Sequence, residues 1–147
     1  MSLRIHQRQR EGIVILDLDG PLSLGEQESD LRENLRVLAQ TGKVRVALNL
    51  QHVSRIDSTG LGALVAAHVK LRNAGGKLAL FSLNSSHLNL LLLTKLVTVF
   101  ELFANESDAV SSWFPGRATN PYDILSFVQR GEAERLVGDP GESELVT

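Results

Sequence analysis

The residues best suited to chemistry lie in one short stretch, IDSTGLGAL, at positions 56–64. It places a carboxylate (Asp57) and two hydroxyls (Ser58 and Thr59) directly before a pair of glycines. A hydroxyl at the start of a helix lies beside backbone N–H groups that have no partner within the helix. These groups and the positive end of the helix dipole both favour a negatively charged phosphoryl group. The stretch therefore suits a hydroxyl that accepts a phosphoryl group.

The flanking segments are expected to hold this stretch between a strand and a helix. Residues 44–50 form an apolar run typical of a strand covered on both faces, and residues 61–71 repeat apolar side chains at spacings of three and four. A hydroxyl between them is the expected N-cap, because its oxygen accepts from first-turn amides. Gly60 and Gly62 weaken a helix, so they predict a place where another surface comes close. We therefore expect the two hydroxyls to be displayed.

Predicted strands and helices alternate along the chain. Two short N-terminal strands, the second ended by Gly20-Pro21, are close enough to form a hairpin. The next helix has Ser23 as its expected N-cap, with Glu26 at the spacing of a capping box. The alternation after residue 20 predicts an α/β layer with right-handed crossovers between parallel strands. The predicted strands are 3–6, 13–19, 44–50, 77–83 and 97–103, and the predicted helices are 24–39, 61–71, 88–96 and 107–114.

The composition changes near residue 115, which predicts a domain over 1–115 and an extension over 116–147. Glycines and prolines interrupt the extension, yet one short helix is predicted over 120–131. Asn120 suits its N-cap, Pro121 suits its first helical position, and a glycine follows as a stop signal. The last sixteen residues carry five acids, which predicts a flexible tail.

Composition also argues against several classes of function. A formal net charge of −2 disfavours a nucleic-acid-binding protein, which normally carries a basic stripe. The absence of cysteine excludes disulfides and thiol nucleophiles, and the four histidines do not fall at metal-ligand spacing. No targeting segment is recognisable, and the most apolar window, 88–99, is too short to cross a bilayer. We expect a cytoplasmic protein without metal or cofactor, neither inserted in a membrane nor bound directly to nucleic acid.

The string Ile56-Asp57-Ser58-Thr59-Gly60-Leu61-Gly62, between a strand and a helix, closely resembles the STAS family, and within it the anti-sigma factor antagonists. The resemblance extends from about residue 3 to residue 114 in motif and in order of elements. It implies a single STAS-like α/β domain, with a mixed, mostly parallel sheet of about five strands and helices packed against it. In that family the first serine of D-S-[ST]-G-L-G is phosphorylated, which corresponds here to Ser58. The implied partner-binding residues are Asp57, Ser58, Thr59, Gly60, Leu61 and Gly62.

The resemblance implies a regulatory role without catalysis. Antagonists of this type, when unphosphorylated, bind an anti-sigma factor and thereby release a sigma factor for transcription. The anti-sigma factor is itself an ATP-dependent serine kinase, and a separate phosphoserine phosphatase removes the phosphate. A homodimer is compatible with this interpretation. The alternative is a STAS scaffold subunit that does not switch, within a larger signalling or transporter-associated complex.

Plainer interpretations stay open for several of these residues. Asp57 and Ser58 can serve as helix caps alone. A serine hydrolase would also hold its nucleophile between a strand and a helix, but the Gly-x-Ser-x-Gly motif is absent. His68 falls on the apolar side of its helix, which predicts a hydrogen-bonded structural histidine. The leucine run 90–93 predicts a core helix or, alternatively, a dimer or lipid-contacting face.

Overall fold

A computed structural model of the chain describes residues 3–23, 26–117 and 120–130, with only the backbone of 26–29. In this part of the chain the elements are, in order, β1 (Arg4–Arg10), β2 (Ile13–Leu22), α1 (Glu26–Gln40), β3 (Arg45–Ile56), α2 (Ser58–Asn73), β4 (Lys77–Phe81), α3 (Ser85–Leu93), β5 (Glu101–Phe103) and α4 (Glu106–Ser111).

The strands form one sheet in the order β1-β2-β3-β4-β5. β1 runs antiparallel to β2, whereas the other three pairs of neighbouring strands, from β2 to β5, are parallel. Glu11 (φ 52°) and Gly12 (φ 81°) form the turn between β1 and β2, because a two-residue type I′ hairpin needs positive φ at both positions. The predicted α/β class, the mixed, mostly parallel sheet and the N-terminal hairpin are confirmed.

The two faces of the sheet enter separate hydrophobic cores. Val14, Leu16 and Leu18 of β2 belong to the larger core, which α1, α2 and α3 cover. Ile13 and Ile15 point to the opposite face and belong to a smaller core under α4. This alternation follows from the period of two along a pleated strand. The helix that follows the candidate stretch is therefore held on the larger core.

β2 and β3 run further than the sequence predicted. β2 continues through Gly20 and Pro21 to Leu22, with register shifts against β3 along this part. β1 stops pairing at Asp19, so the missing N–H of Pro21 breaks no ladder on that side. β3 extends to Ile56, which is paired with Leu22. The joined ends of β2 and β3 thus carry the chain to the start of α2.

Several other boundaries differ from their predicted positions. α3 begins three residues early because Asn84 caps it, its side chain accepting from the His87 N–H at 2.8 Å. The predicted cap of α1 by Ser23 and Glu26 involves residues 24–25 and a side chain outside the described residues. The corrected bounds are Ser58–Asn73 for 61–71, Ser85–Leu93 for 88–96, Glu101–Phe103 for 97–103, and Glu106–Ser111 for 107–114.

The first part of the extension packs back on the domain. Pro121 forms a β-bridge with Phe103 of β5, and the Tyr122 N–H donates to the Leu102 carbonyl at 2.8 Å. Residues 122, 124 and 127 then pack against the larger core. This segment therefore covers the outer edge of β5, which would otherwise present unpaired backbone groups.

The helix of the extension spans residues 124–130. Asp123 is its cap, accepting from the Ser126 N–H at 3.1 Å and from the Ser126 hydroxyl at 2.7 Å. The predicted cap at Asn120 and first helical position at Pro121 are wrong, because the chain first pairs with the sheet edge. The predicted stop signal and acidic tail lie outside the described residues.

The leucine run in α3 divides between core and surface. Leu91 is buried, whereas the side chain of Leu93 is 83% exposed. Within the described ranges, no helix is both long enough and apolar enough to cross a bilayer. The same ranges contain no group of three or more His, Cys, Asp or Glu side chains able to hold a metal ion.

Candidate functional site

Ser58 is the first residue of α2, and it is exposed. It lies two residues after the end of β3, which pairs with the end of β2. The N–H groups of Ser58 and Thr59 have no acceptor within the helix, because the first turn of any helix lacks preceding carbonyls. The positive end of a 16-residue helix dipole adds to their effect. The hydroxyl thus lies where a phosphoryl group is favoured.

Asp57, rather than a hydroxyl, caps α2. Its backbone is extended (φ −98°, ψ −175°), and its carboxylate accepts from the Gly60 N–H at 2.9 Å. Its own N–H donates to the Leu22 carbonyl at 3.2 Å, and its carbonyl accepts from the Leu61 N–H at 2.8 Å. The predicted hydroxyl cap is therefore wrong by one residue. Because Asp57 fills the cap, the hydroxyl of Ser58 is not needed for it.

Gly60 is buried against the end of β2, which contradicts its predicted place on the partner-facing surface. A Cβ at this position would lie 1.9 Å from the carbonyl oxygen and 2.6 Å from the carbonyl carbon of Leu22. Leu61, also predicted to contact a partner, is 8% exposed and packs in the larger core. Both residues lie on the buried side of α2 and pack its first turn against the domain.

The other motif residues do reach the surface. Ser58 and Gly62 are exposed, and Asp57 and Thr59 are half-buried. A Cβ at Gly62 would have no heavy atom within 4 Å, so this glycine borders open space. We call Asp57, Ser58, Thr59 and Gly62 the helix-start surface. It consists of short side chains, so another molecule can approach the backbone closely there.

His87 of α3 ties down the strand that leads to this surface. Its Nε2 lies 3.0 Å from the carbonyl oxygen of Val53 in β3, and its Nδ1 accepts from the Asn84 N–H at 3.2 Å. The carbonyl can only accept, so the proton resides on Nε2. Burial lowers the pKa of His87 below its ordinary value, which keeps the ring neutral. The chain is thus fixed four residues before Asp57.

His68 differs from its prediction as a hydrogen-bonded histidine. Its Nδ1 is buried and has no hydrogen-bond partner among the described residues. The ring instead meets Phe100 edge to face, with centroids 5.7 Å apart and planes at 74°. An aromatic contact, rather than a hydrogen bond, therefore orients this side chain.

Residues 4–109 match the STAS domain family. This chain belongs to the STAS domain family. The match spans every strand of the sheet and the whole motif around Ser58. The expected membership of the STAS family is confirmed.

Named relatives and a solved structure are similar over most of the chain. The anti-sigma F factor antagonist of Paenibacillus polymyxa is 22% identical over 111 residues, 76% of this chain and 95% of the relative. The anti-sigma-B factor antagonist of Bacillus subtilis (strain 168) is 28% identical over 110 residues, 75% of this chain and 99% of the relative. A crystal structure of a candidate anti-sigma factor antagonist from Thermotoga maritima superposes with a TM-score of 0.69 at 25% identity, covering 74% of this chain and 92% of the other.

Sequence reasoning missed two residues that build the site. Leu22 receives the Asp57 N–H and blocks any side chain at Gly60, but these contacts join residues far apart in sequence. His87 is the second, and here a local signal existed. An asparagine three residues before a polar side chain has the spacing of a capping box.

Proposed function

We propose that this chain is an anti-sigma factor antagonist whose binding is switched by phosphorylation of Ser58. The observation that carries the proposal is an exposed serine at the first position of α2, between the anchored residues Asp57 and Gly60. The two curated relatives, both named as anti-sigma factor antagonists, support the role. In this role the chain is a regulator and not an enzyme, and it acts in the cytoplasm without a cofactor.

The unmodified helix-start surface suits close docking. Its exposed positions, Ser58 and Gly62, carry a short side chain or none, so an anti-sigma factor can reach the helix backbone. Asp57 holds the first turn in place through its bond to the Gly60 N–H. A partner therefore meets a surface that is already ordered, which lowers the entropic cost of association.

Phosphorylation adds negative charge to the helix-start surface, and the anchored helix start cannot shift to move that charge out of the interface. A phosphoserine adds a charge of about −1.5 to −2 at neutral pH, next to the carboxylate of Asp57. The anchors at Leu22 keep the helix start where it is. Within the chain, the free N–H groups and the helix dipole offset the added charge. A docked partner has no such compensation and would have to bury the charge, so binding weakens.

The covalent chemistry belongs to the partners. An anti-sigma factor with serine kinase activity transfers the γ-phosphoryl group of ATP to the Ser58 oxygen, so ADP leaves and the hydroxyl proton is released. A phosphoserine phosphatase adds water, which restores the hydroxyl and releases inorganic phosphate. This chain supplies only the acceptor and the docking surface, so no catalytic residue is assigned to it.

The test compares Ser58→Ala and Ser58→Asp with the wild type in titrations against the co-purifying anti-sigma factor. Ser58→Ala should bind like the unmodified protein and resist phosphorylation. Ser58→Asp places a second carboxylate beside Asp57, and like charges in a desolvated contact cost several kcal/mol. We therefore expect its affinity to fall at least about a hundredfold, or about 2.7 kcal/mol.

A matched control comes from the start of α3. Ser85 is also the exposed first residue of a capped helix, following Asn84. Ser85→Asp should leave the affinity unchanged, because it adds the same charge at the first position of a capped helix on another surface. Equal affinities for all variants, or phosphate mapped only to another residue, would reject the switch. A STAS scaffold subunit that does not switch would then be the better account.

A further inference from the structure

A cavity of about 390 Å³ opens beside β5, at the edge of the sheet that the extension covers. One wall is β5 with the loop that precedes it, and the other is the first part of the extension. We call it the β5 cavity. Its lining residues are Val97, Thr98, Phe100, Glu101, Leu102, Phe103, Pro121, Tyr122 and Ile124. Its volume falls in the range of about 300–1,000 Å³ that is usual for small-molecule sites.

Backbone contacts hold the two walls of the β5 cavity in place. Pro121 forms a β-bridge with Phe103. The Tyr122 N–H donates to the Leu102 carbonyl at 2.8 Å, and the Ile124 N–H donates to the Tyr122 carbonyl at 3.0 Å. Because these bonds use the backbone, the side chains of both walls are left to line the space. The cavity is therefore preformed, as ligand sites usually are.

The lining of the β5 cavity is mainly apolar, and its one acid is already paired. Among the described residues that line it, Glu101 is the only charged side chain, and its carboxylate lies 3.2 Å from Lys77 Nζ. Lys77 lies outside the lining, where its Nζ also donates to the Ser112 hydroxyl at 2.8 Å. A cation in the cavity would compete with Lys77 for Glu101, and an anion would lie beside the carboxylate. The lining therefore suits an uncharged occupant, because a charged one would also lose its hydration in an apolar space.

Two lining residues also carry hydroxyls. Neither the Thr98 hydroxyl nor the Tyr122 hydroxyl makes a hydrogen bond with any residue in the described part of the chain. A few polar groups in an apolar lining are what fixes the orientation of a bound small molecule. The occupant that fits is thus an apolar body with a hydrogen-bonding group.

Phe100 connects the wall of the β5 cavity with α2. Its ring meets the His68 ring of α2 edge to face, with centroids 5.7 Å apart. A molecule that touches Phe100 is therefore one side chain away from α2, the helix that begins at Ser58. His68 can report on the occupancy of the cavity, because its ring lies against a lining residue.

We propose that the β5 cavity binds an uncharged small molecule with a mainly apolar body, and that the extension completes this site. Its binding removes apolar surface of both walls from water, which is the source of affinity. The hydroxyls of Thr98 and Tyr122 orient the molecule. A recess of this size fits a small molecule, whereas a specific protein interface extends over about 1,200–2,000 Å² in total.

A matched pair of fluorescent probes tests the site with the full chain. N-phenylnaphthylamine is uncharged and fluoresces more strongly in apolar surroundings, and anilinonaphthalene sulfonate has the same rings with an added negative charge. We expect saturable one-to-one binding of the uncharged probe. The charged probe should bind at least about tenfold more weakly, because its sulfonate would be desolvated beside Glu101.

Two tryptophan variants locate the binding of the uncharged probe. Thr98→Trp places a large ring at an exposed lining position, so the affinity should fall at least about tenfold. Asn89→Trp adds the same ring at an exposed position of α3 outside the lining, so the affinity should not change.

Nuclear magnetic resonance of the wild-type chain supplies an independent readout. The uncharged probe should shift the amides of residues 97–103 and 121–124 and the ring protons of His68. No saturable binding, equal affinities of Thr98→Trp and Asn89→Trp, tighter binding of the charged probe, or shifts confined to another face would overturn the proposal. All of these measurements use the chain without a partner, so their outcome is independent of the anti-sigma role.

Discussion

The two glycines of the motif should respond in opposite ways to the same substitution. Gly60→Ala places a methyl group 1.9 Å from the Leu22 carbonyl oxygen, and a real Cβ contact closer than 3.0 Å forces a shift. The atoms in the way are backbone, so relief requires the start of α2 to separate from the end of β2. That movement strains the Asp57 hydrogen bond to Leu22 and the cap of the helix. Gly62→Ala meets nothing within 4 Å.

The magnitudes separate the two variants clearly. Alanine favours a helix over glycine by about 1 kcal/mol at either position. Overpacking costs about 1–3 kcal/mol, and a strained hydrogen bond and cap add about 1 kcal/mol each. Gly60→Ala should therefore lose about 2 kcal/mol or more, whereas Gly62→Ala should gain up to about 1 kcal/mol. For a chain of this size, a gap of about 3 kcal/mol separates the melting temperatures by about 10 °C.

Urea unfolding of both variants and the wild type measures this difference. The midpoints should move in opposite directions with an unchanged denaturant slope, which ties the effect to stability rather than to the unfolded state. Gly60→Ala as stable as Gly62→Ala would refute the contact with Leu22. Gly60 would then return to the surface, and its predicted role in partner binding would be restored.

Three further perturbations test other parts of the structure. Burial lowers the pKa of His87, so its contribution to the free energy of unfolding is fully present above about pH 6.5 and is lost as the pH falls toward the pKa of His87 in the folded protein. In unfolding measurements at several pH values, His87→Gln should reduce this dependence of stability on pH. Hydrogen bonds from Arg8 lower the pKa of Asp17 and of Glu106, so Arg8→Met should lower stability at pH 7, and the deficit should vanish as both carboxylates protonate below about pH 4; a constant deficit would contradict the pairing. Truncation after Gly116 uncovers the edge of β5 and should lower the melting temperature or shift the chain toward dimers; calorimetry and sedimentation unchanged by the truncation would contradict this packing.

The layout of the fold could be predicted because its signals are local. Apolar runs, their periods and the turn at Glu11-Gly12 each lie within a few residues of the element they specify. The ends of β2 and β3 were missed for the opposite reason. Their last residues are held mainly by each other, so neither strand alone carries the apolar pattern that would extend it. Pro21 also indicates the end of a strand. It is tolerated within β2 because β1 pairs with β2 only as far as Asp19, so the missing N–H of Pro21 breaks no hydrogen bond to β1.

The family to which the motif belongs could be predicted from the sequence, but the burial of each residue in the motif could not. Asp57 and Ser58 are both good caps, and only the bond from Asp57 to a carbonyl in β2 decides between them. Gly60 was expected at the surface because glycine in a helix indicates a close approach. The close approach is real, but the approaching group is Leu22 of the same chain. A glycine in a helix therefore predicts that another group approaches closely, but it does not predict whether that group belongs to the same chain or to a partner.

Because Asp57 and Gly60 are held by contacts with β2 while Ser58 is exposed, a charge at Ser58 should affect partner binding more than the stability of the fold. Exposed residues at a helix start could relieve added charge by fraying, which would weaken the fold rather than the interface. Here the next turn is held by Leu22 through backbone contacts, and the preceding strand is held by His87. Fraying of the helix start would therefore break its contacts with Leu22, whereas the N–H groups of the first turn stabilise the charge in place. An added phosphate then acts outward, on whatever molecule meets the helix-start surface.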